Sequence, residues 1–260
     1  MLWPALLVVV WLLLWRPRRL PDVTPTKTLL LGHRGVRGSL PENTLTAFRA
    51  ALEAGLDGLE TDVQRTRDGV LVLVHDVALP DGRRVVSLTR AELGAAVPDL
   101  ATLDELFLLV RGFPGTLLNL ELKTAGWRTG GLERAAAAAI GRSGLEGRTL
   151  VSSFNPLSLV RLRFYAPELR SALLYSPDGP RWLRSNRAAK MFAHLLHPDA
   201  LHPHFSLIDA ELAAWAGRRG LALNAWTVNE AEDVKRLARL DVNGLMADNP
   251  KVLKDALKEA

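Results

Sequence analysis

Polar side chains capable of catalysis stand at the ends of several short apolar runs of the sequence. They are three carboxylates, two imidazoles, a guanidinium and an ammonium group: Glu60, Asp62, Glu121, His33, His75, Arg34 and Lys123. The two-residue spacing within Glu60–Asp62 and within Glu121–Lys123 sends both members of each pair to the same face of a strand. Because the carboxyl ends of parallel barrel strands meet at one mouth, these groups are predicted to converge there.

Clustered carboxylates repel one another, and a divalent cation that prefers oxygen ligands would neutralise them. Glu60, Asp62 and Glu121 are therefore predicted to bind Mg²⁺ or Ca²⁺. The two histidines can share acid and base roles near neutral pH. Arg34 can bind a phosphate group in bidentate fashion and Lys123 as a point charge. This combination predicts metal-assisted cleavage of a phosphodiester.

The elements that must position these groups alternate along the chain from Thr28 onward. Apolar runs rich in Leu, Val and Ala are followed by helical patterns of roughly 10–15 residues. This alternation predicts a (β/α)₈ barrel of the TIM type, with a doubly wound open sheet as the alternative. We expect the first helix to begin near Thr44, with Asn43 as its cap. The apolar runs are Leu29–Gly32, Gly58–Val63, Val70–His75, Leu117–Lys123, Thr149–Phe154, Ala172–Tyr175, Ala200–His202, Leu221–Trp226 and Gly244–Ala247.

One connection is too short for a crossover helix, since only Gln64 to Gly69 separate two apolar runs. The Asp68-Gly69 pair predicts a β-hairpin at this point. A two-residue turn places Asp62 opposite His75, and a turn centred one residue earlier places Glu60 there. Both registers put the polar side chains on one face. The barrel is therefore expected to be slightly irregular, with more apolar runs than barrel positions.

Residues 1–19 are predicted to form a hydrophobic anchor with a basic flank. Positions 2–15 are all apolar or proline, and three arginines follow by position 19. No positive side chain precedes the run and no small-x-small cleavage site follows it, which favours an uncleaved anchor. The arginines favour a cytoplasmic catalytic domain; an unusual signal peptide, with a secreted or periplasmic domain, is the alternative. Residues 20–27 are interpreted as a tether and 28–260 as the barrel domain.

The composition is that of a globular protein. Apolar residues make up 48% of the chain and charged residues 23%, which excludes a disordered or fibrous protein. The chain has no cysteine, which excludes disulfides, thiolate zinc sites and cysteine nucleophiles. The net charge of +5 is modest and spread out. Nucleic acid is therefore not expected as a partner, whereas an anionic membrane or a phosphate ligand is favoured.

Seven short motifs follow one another along the chain. They are Gly32-His33-Arg34-Gly35, Pro41-Glu42-Asn43-Thr44 with Ala47-Phe48, Gly58-Leu59-Glu60-Thr61-Asp62-Val63, Asp68-Gly69 followed by His75-Asp76, Glu121-Leu122-Lys123, Trp226-Thr227-Val228-Asn229 and Asp248-Asn249-Pro250. Together they resemble the glycerophosphodiester phosphodiesterase family, here as a membrane-anchored member of bacterial type. The resemblance covers about residues 29–258. It implies a barrel of the type predicted above and hydrolysis of glycerophosphodiesters to glycerol 3-phosphate and an alcohol.

The resemblance also implies residue roles. The metal would be bound by Glu60, Asp62 and Glu121, and the acid and base would be His33 and His75. The phosphate would be contacted by Arg34 and Lys123, and the pocket for the glycerol or alcohol would be lined by Trp226. The segment after His75-Asp76 lacks the longer insertion common in the family, which predicts an open mouth. Together with the anchor, an open mouth favours a lysophospholipid of the membrane as an alternative substrate.

Two further alternatives stay open at this point. A barrel that binds a phosphorylated ligand at the membrane without catalysis is one, although a pure binder has no need of paired proton carriers. In the other, a hydroxyl of the substrate itself attacks phosphorus and a cyclic phosphate is released. The residue types do not distinguish this reaction from attack by water.

Overall fold

The computed structural model describes residues 17–18, 28–124 and 126–258. Most of the predicted anchor (1–19) and the predicted tether (20–27) therefore lie outside the described residues, and the domain boundaries stay predictions. Within the described part of the chain, the helices are all too short or too polar to cross a membrane.

Eight parallel strands close into a barrel. The strands of the described chain are β1 (Leu29–His33), β2 (Gly58–Arg65), β3 (Leu71–Leu73), β4 (Leu117–Leu122), β5 (Thr149–Ser153), β6 (Arg170–Tyr175), β7 (Ala200–Pro203), β8 (Ala222–Ala225) and β9 (Gly244–Ala247). The order around the ring is β1-β2-β4-β5-β6-β7-β8-β9, and β9 pairs with β1 again. This closure confirms the predicted barrel and excludes the open sheet.

Helices cover the outside of the barrel. They are α1 (Leu45–Glu53), α2 (Arg90–Ala96), α3 (Leu103–Arg111), α4 (Leu132–Ser143), α5 (Pro156–Tyr165), α6 (Asn186–Leu196), α7 (Ala210–Arg219), α8 (Ala231–Ala238) and α9 (Pro250–Lys258). Their apolar faces and the outward side chains of the strands form the main core. Inside the barrel, Leu31, Leu117 and Met246 form a separate apolar cluster. This packing closes the barrel below the polar side chains at the mouth.

The extra strand β3 explains the surplus of apolar runs, but the predicted hairpin registers are both wrong. β3 runs antiparallel to β2, with Val63 opposite Leu73 and Arg65 opposite Leu71. The turn contains three residues rather than two, because the Thr66 N–H donates to the Val70 carbonyl across Arg67-Asp68-Gly69. Gly69 has φ +93°, the left-handed conformation that closes such a three-residue loop. His75 thus lies beyond the end of β3, where strand alternation no longer determines its direction.

Candidate active site

Strand register brings the predicted metal ligands together. His33 on β1 is opposite Glu60 on β2, and Asp62 on β2 is opposite Glu121 on β4. One oxygen from each carboxylate can be chosen so that all three lie within 4.8 Å of one another. Side chains that are neighbours across parallel strands share a face, so this convergence follows directly from the pairing of β1, β2 and β4.

The three carboxylates are buried, at 3%, 1% and 7% exposure for Glu60, Asp62 and Glu121. Burial, Asp62 and Glu121 raise the pKa of Glu60 well above its usual value. Burial, together with Asp62, also raises the pKa of Glu121. Burial acts on Asp62 in the same direction, but Lys123 and Arg34 outweigh it and hold the pKa of Asp62 below its usual range. The cluster therefore resists carrying three negative charges by itself.

Two cations lie against these carboxylates. Lys123 Nζ is 2.7 Å from Glu121 Oε1 and 3.2 Å from Asp62 Oδ1, and Arg34 Nε is 3.1 Å from Asp62 Oδ2. Burial opposes protonation of Lys123, but Glu121 and Asp62 raise its pKa to about 12, so it stays charged. With all groups ionised, three negative and two positive charges leave one negative charge uncompensated.

The donor set fits a hard divalent cation. It consists of carboxylate oxygens only, which suits Mg²⁺ or Ca²⁺ better than a soft metal. Among the described residues, no group in hydrogen-bonding geometry donates to the buried Asp62 Oδ1, even though Lys123 lies close by. An orphaned carboxylate oxygen in a cluster of this kind is an observation that a cation would explain. A divalent ion would also turn the local charge from negative to positive, which matches a phosphodiester anion.

Asn43 orients Asp62 and has a role that the sequence pattern did not reveal. Its Nδ2 donates to Asp62 Oδ2 (3.0 Å), and its Oδ1 accepts from Thr61 Oγ1 (2.7 Å). The sequence predicted Asn43 as the cap of α1, and this prediction is wrong. The cap is Thr44, whose side chain accepts a hydrogen bond from the Ala47 N–H. With φ 57°, Asn43 adopts the left-handed conformation that asparagine tolerates better than most residues. Its side chain thereby turns inward, away from the helix.

His33 is held by the carboxylate of Asp248, a contact that the sequence pattern also did not reveal. Its Nδ1 donates to Asp248 Oδ1 over 2.7 Å, and Nε2 lies 3.8 Å from Glu60 Oε2. Asn229 Nδ2 donates to the other Asp248 oxygen (2.9 Å), and the Asp248 N–H donates to Asn229 Oδ1 (3.0 Å). Because a carboxylate only accepts, the proton of the neutral imidazole is held on Nδ1 and the lone pair of Nε2 faces the carboxylate cluster.

His75 reaches the same place from the loop after β3. Its Nδ1 donates to Asp76 Oδ1 (2.8 Å), which leaves Nε2 free to face the mouth. The buried Gln64 Nε2 lies 2.9, 3.3 and 2.9 Å from the carbonyl oxygens of Val74, His75 and Asp76 and so fixes this loop. Burial and Lys123 lower the pKa of His75, which favours the neutral imidazole.

One cavity of about 520 Å³ connects these groups. Of the eight site residues predicted from the sequence, Asp62 is buried behind the cavity. The other seven line it: His33, Arg34, Glu60, His75, Glu121, Lys123 and Trp226. Trp226 Nε1 donates to the His202 carbonyl (2.8 Å), and its ring packs edge-on against Phe154. The ring is thus fixed as one wall of the cavity. The roles assigned to the individual residues stay predictions.

The family of the chain follows from comparison with known proteins. The model of the glycerophosphoryl diester phosphodiesterase family matches residues 33–252, which include every residue of the site. The chain belongs to this family. A curated glycerophosphodiester phosphodiesterase from Caldanaerobacter subterraneus subsp. tengcongensis is 34% identical over 243 residues, which are 87% of this chain and 96% of the relative.

Solved structures agree with this family membership. A Silicibacter pomeroyi protein superimposes with a TM-score of 0.80 and 30% identity, covering 91% of this chain and 95% of the other. A phosphodiesterase from Oleispira antarctica, solved in complex with the product sn-glycerol-3-phosphate, gives a TM-score of 0.73 and 27% identity, with 88% and 96% coverage. The protein is therefore an enzyme, a glycerophosphodiester phosphodiesterase, and not the purely binding barrel considered as an alternative.

The contact between Asp248 and His33 makes a testable prediction for this enzyme. An Asp248→Asn variant is expected to lose about 10- to 100-fold in kcat, because the amide no longer holds His33 in one tautomer. KM is expected to change little, and the pH profile of kcat to shift. Steady-state kinetics over a pH series measures both effects. Asp255→Asn, at an exposed carboxylate of α9 that pairs with Lys251, is the matched control; equal losses in both variants would contradict the role of Asp248.

Proposed function

We propose that this enzyme hydrolyses glycerophosphodiesters to glycerol 3-phosphate and an alcohol with the help of one divalent cation, Mg²⁺ or Ca²⁺. The observation that carries the proposal is the convergence of three buried carboxylates, two cationic side chains and two histidines on one cavity. The Oleispira antarctica relative, with its sn-glycerol-3-phosphate product, supports the same substrate class.

The side chains divide the work as follows in this proposal. Arg34 and Lys123 bind the phosphate oxygens, and Trp226 packs against the glycerol or alcohol arm. A cation held by Glu60, Asp62 and Glu121 would offset the negative charge that builds on the phosphoryl oxygens. The other contributions come from the two histidines.

Proton transfer falls to His33 and His75. The oxygen of a water molecule attacks phosphorus and passes its proton to the Nε2 atom of one imidazole. The bond from phosphorus to the alcohol oxygen breaks, and the other imidazole, in its protonated form, donates a proton to that oxygen. The lowered pKa of His75 suits it to accept the proton, since it is neutral at neutral pH.

Hydrolysis of glycerophosphocholine by the full chain tests this function. We expect glycerol 3-phosphate and choline as products, complete loss of activity with a chelator, and recovery with Mg²⁺ or Ca²⁺. Reaction in ¹⁸O-labelled water is expected to place one label in the glycerol 3-phosphate phosphate group. Activity that is indifferent to chelation would contradict the role of the cation, and a cyclic phosphate product would identify attack by the substrate's own hydroxyl.

We also propose that residues 1–19 attach the enzyme to a membrane, with the barrel on the cytoplasmic side. Arg18, at the described end of this segment, bonds to Asp199 (2.8 Å) and to the carbonyl oxygens of Pro167 and Leu169. Asp199 immediately precedes β7, so Arg18 contacts the barrel at the end opposite the cavity. Association of the full chain with liposomes is expected to fall in Val9→Asp but not in the control Val160→Asp, which changes an exposed residue of α5.

A further inference from the structure

A second cavity, of about 340 Å³, opens directly beside the catalytic one. The two share four lining residues, Glu121, Lys123, Phe154 and Pro180. The second cavity adds two tryptophans to this common wall, Trp127 and Trp182. We refer to the space lined by Trp127, Trp182, Phe154 and Pro180 as the aromatic annex. Because these residues line both, the two cavities adjoin, and a molecule that reached from the catalytic cavity into the annex would pass along this common wall.

The two tryptophans are exposed yet held in place. Trp127 is 59% and Trp182 39% exposed, and their rings stack with centroids 6.2 Å apart at an angle of 22°. The Trp127 carbonyl accepts a hydrogen bond from Arg161 Nη1 (2.9 Å), and the Trp182 ring also contacts Phe192. Large aromatic surface left open to water beside a catalytic cavity is typical of a binding site rather than of a core.

Lys123 places the annex beside the proposed position of the phosphate. Lys123 lines both cavities and is one of the two cations that face the proposed phosphate position. A phosphodiester bound there has one arm beside Trp226 in the catalytic cavity and room for an extension toward Trp127 and Trp182. The annex is therefore next to the substrate and not a remote surface feature.

The chemistry of the annex favours an apolar occupant. Among the described residues that line the second cavity, Glu121 is the one acidic residue, and this carboxylate is already paired with Lys123 at 2.7 Å. A cationic head group would find no free counter-charge there and would approach the lysine. The stacked rings also face each other too closely to enclose a quaternary ammonium group between them. By volume, the annex exceeds the cavity of about 150 Å³ that holds a benzene ring, which leaves room for an alkyl chain.

We propose that the aromatic annex is a subsite for the acyl or alkyl chain of a lysophospholipid, whose phosphodiester is cleaved in the adjoining catalytic cavity. This proposal rests on the phosphodiesterase function proposed above and names a substrate class for it. Trp127 and Trp182 determine specificity in this view, since they contact the chain and not the reacting atoms.

Kinetics with two substrates that differ by one chain test the proposal. We expect kcat/KM of the full-length enzyme to be about tenfold higher for octanoyl lysophosphatidylcholine, kept below its critical micelle concentration, than for glycerophosphocholine. We expect each of the variants Trp127→Ala and Trp182→Ala to lose most of this preference, because KM for the lysophospholipid rises. Their kcat/KM for glycerophosphocholine is expected to stay within about twofold of the wild-type value. Trp182→Phe, which keeps an apolar ring, is expected to retain the preference. The control is Phe164→Ala, at an exposed aromatic residue of α5 that lines neither cavity.

Binding measured without turnover separates the subsite from the proposed function. In a His75→Ala background, calorimetric titration with octanoyl lysophosphatidylcholine is expected to give about tenfold weaker binding once Trp127→Ala is added. Absence of any hydrolysis of glycerophosphocholine by the wild type would count against the proposed function, while this titration would still test the annex. The subsite proposal would be overturned if the wild type had equal kcat/KM for the two substrates. It would also be overturned if the tryptophan variants lost kcat/KM equally for both substrates. A loss of kcat/KM for glycerophosphocholine alone in these variants would likewise contradict the proposal, because that result would place choline in the annex.

Discussion

Replacement of His75 by alanine is expected to lower kcat for glycerophosphocholine by about 10³-fold. The imidazole is one of the two proton carriers at the cavity, and no other described side chain of the cavity lining besides His33 is an imidazole. Affinity for the divalent cation is expected to persist, since the three carboxylates are untouched. Steady-state kinetics and metal titration of the same preparation measure the two effects separately.

The pH profile gives a second reading of the same residue. Burial and Lys123 lower the pKa of His75, so its conjugate acid forms only at a lower pH than that of an ordinary histidine. If His75 is the base, kcat of the wild type falls as the pH drops through this pKa, and the variant lacks this acid limb. His194→Ala is the control, because His194 packs against Trp215 on the outside of the barrel. Unchanged kcat in His75→Ala, or an equal loss in the control, would contradict the proposed catalysis.

Glu60→Gln is expected to abolish activity and to raise the stability of the metal-free enzyme. Burial, Asp62 and Glu121 raise the pKa of Glu60 in the folded state above its unfolded value. Between these two values the folded protein binds more protons than the unfolded chain, so the free energy of unfolding decreases as the pH rises. The neutral glutamine removes this loss at neutral pH. It also removes a predicted metal ligand, which is why activity and stability move in opposite directions.

Thermal unfolding with chelator and with Mg²⁺ or Ca²⁺ measures this effect. Without metal, we expect the Tm of Glu60→Gln at neutral pH to exceed that of the wild type by about 3 °C, the shift that roughly 1 kcal/mol produces in a protein of this size. Added cation is expected to raise the Tm of the wild type and to have little effect on the variant. The control is Glu133→Gln, since Glu133 is as buried as Glu60 but lies on α4, where Thr129 donates a hydrogen bond to its carboxylate. A metal-free Tm that falls in Glu60→Gln would contradict the repulsion inferred among the carboxylates.

The barrel and the positions of the carboxylates could be predicted from the sequence because both depend on local periodicity. Repeated alternation of apolar runs and helical patterns indicated parallel strands, and the two-residue spacing indicated that Glu60 and Asp62 share a face. Register then placed Asp62 beside Glu121, as the structure shows. The functional residues lie at strand ends, so the direction of each strand was enough to bring them to the same mouth.

The supporting residues could not be predicted in the same way, since their contacts join distant parts of the chain. Asp248 is 215 positions from His33, and its sequence context indicated only the start of a helix. Asn43 occupied a position typical of a cap, and only its left-handed backbone turns the side chain toward Asp62. The Pro41-Glu42-Asn43-Thr44 motif was the available signal for Asn43. The hairpin register was wrong because Asp-Gly occurs in both two- and three-residue turns.

Anomalous diffraction from crystals of the full-length enzyme soaked in Mn²⁺, a redox-stable substitute for the physiological ion, tests the metal site most directly. We expect one strong peak at the barrel mouth, within about 2.0–2.6 Å of an oxygen of each of Glu60, Asp62 and Glu121. The same soak of Glu121→Gln crystals is expected to weaken or remove the peak. No peak among these three side chains at saturating Mn²⁺, or a strong peak elsewhere in the cavity, would contradict the proposed metal site.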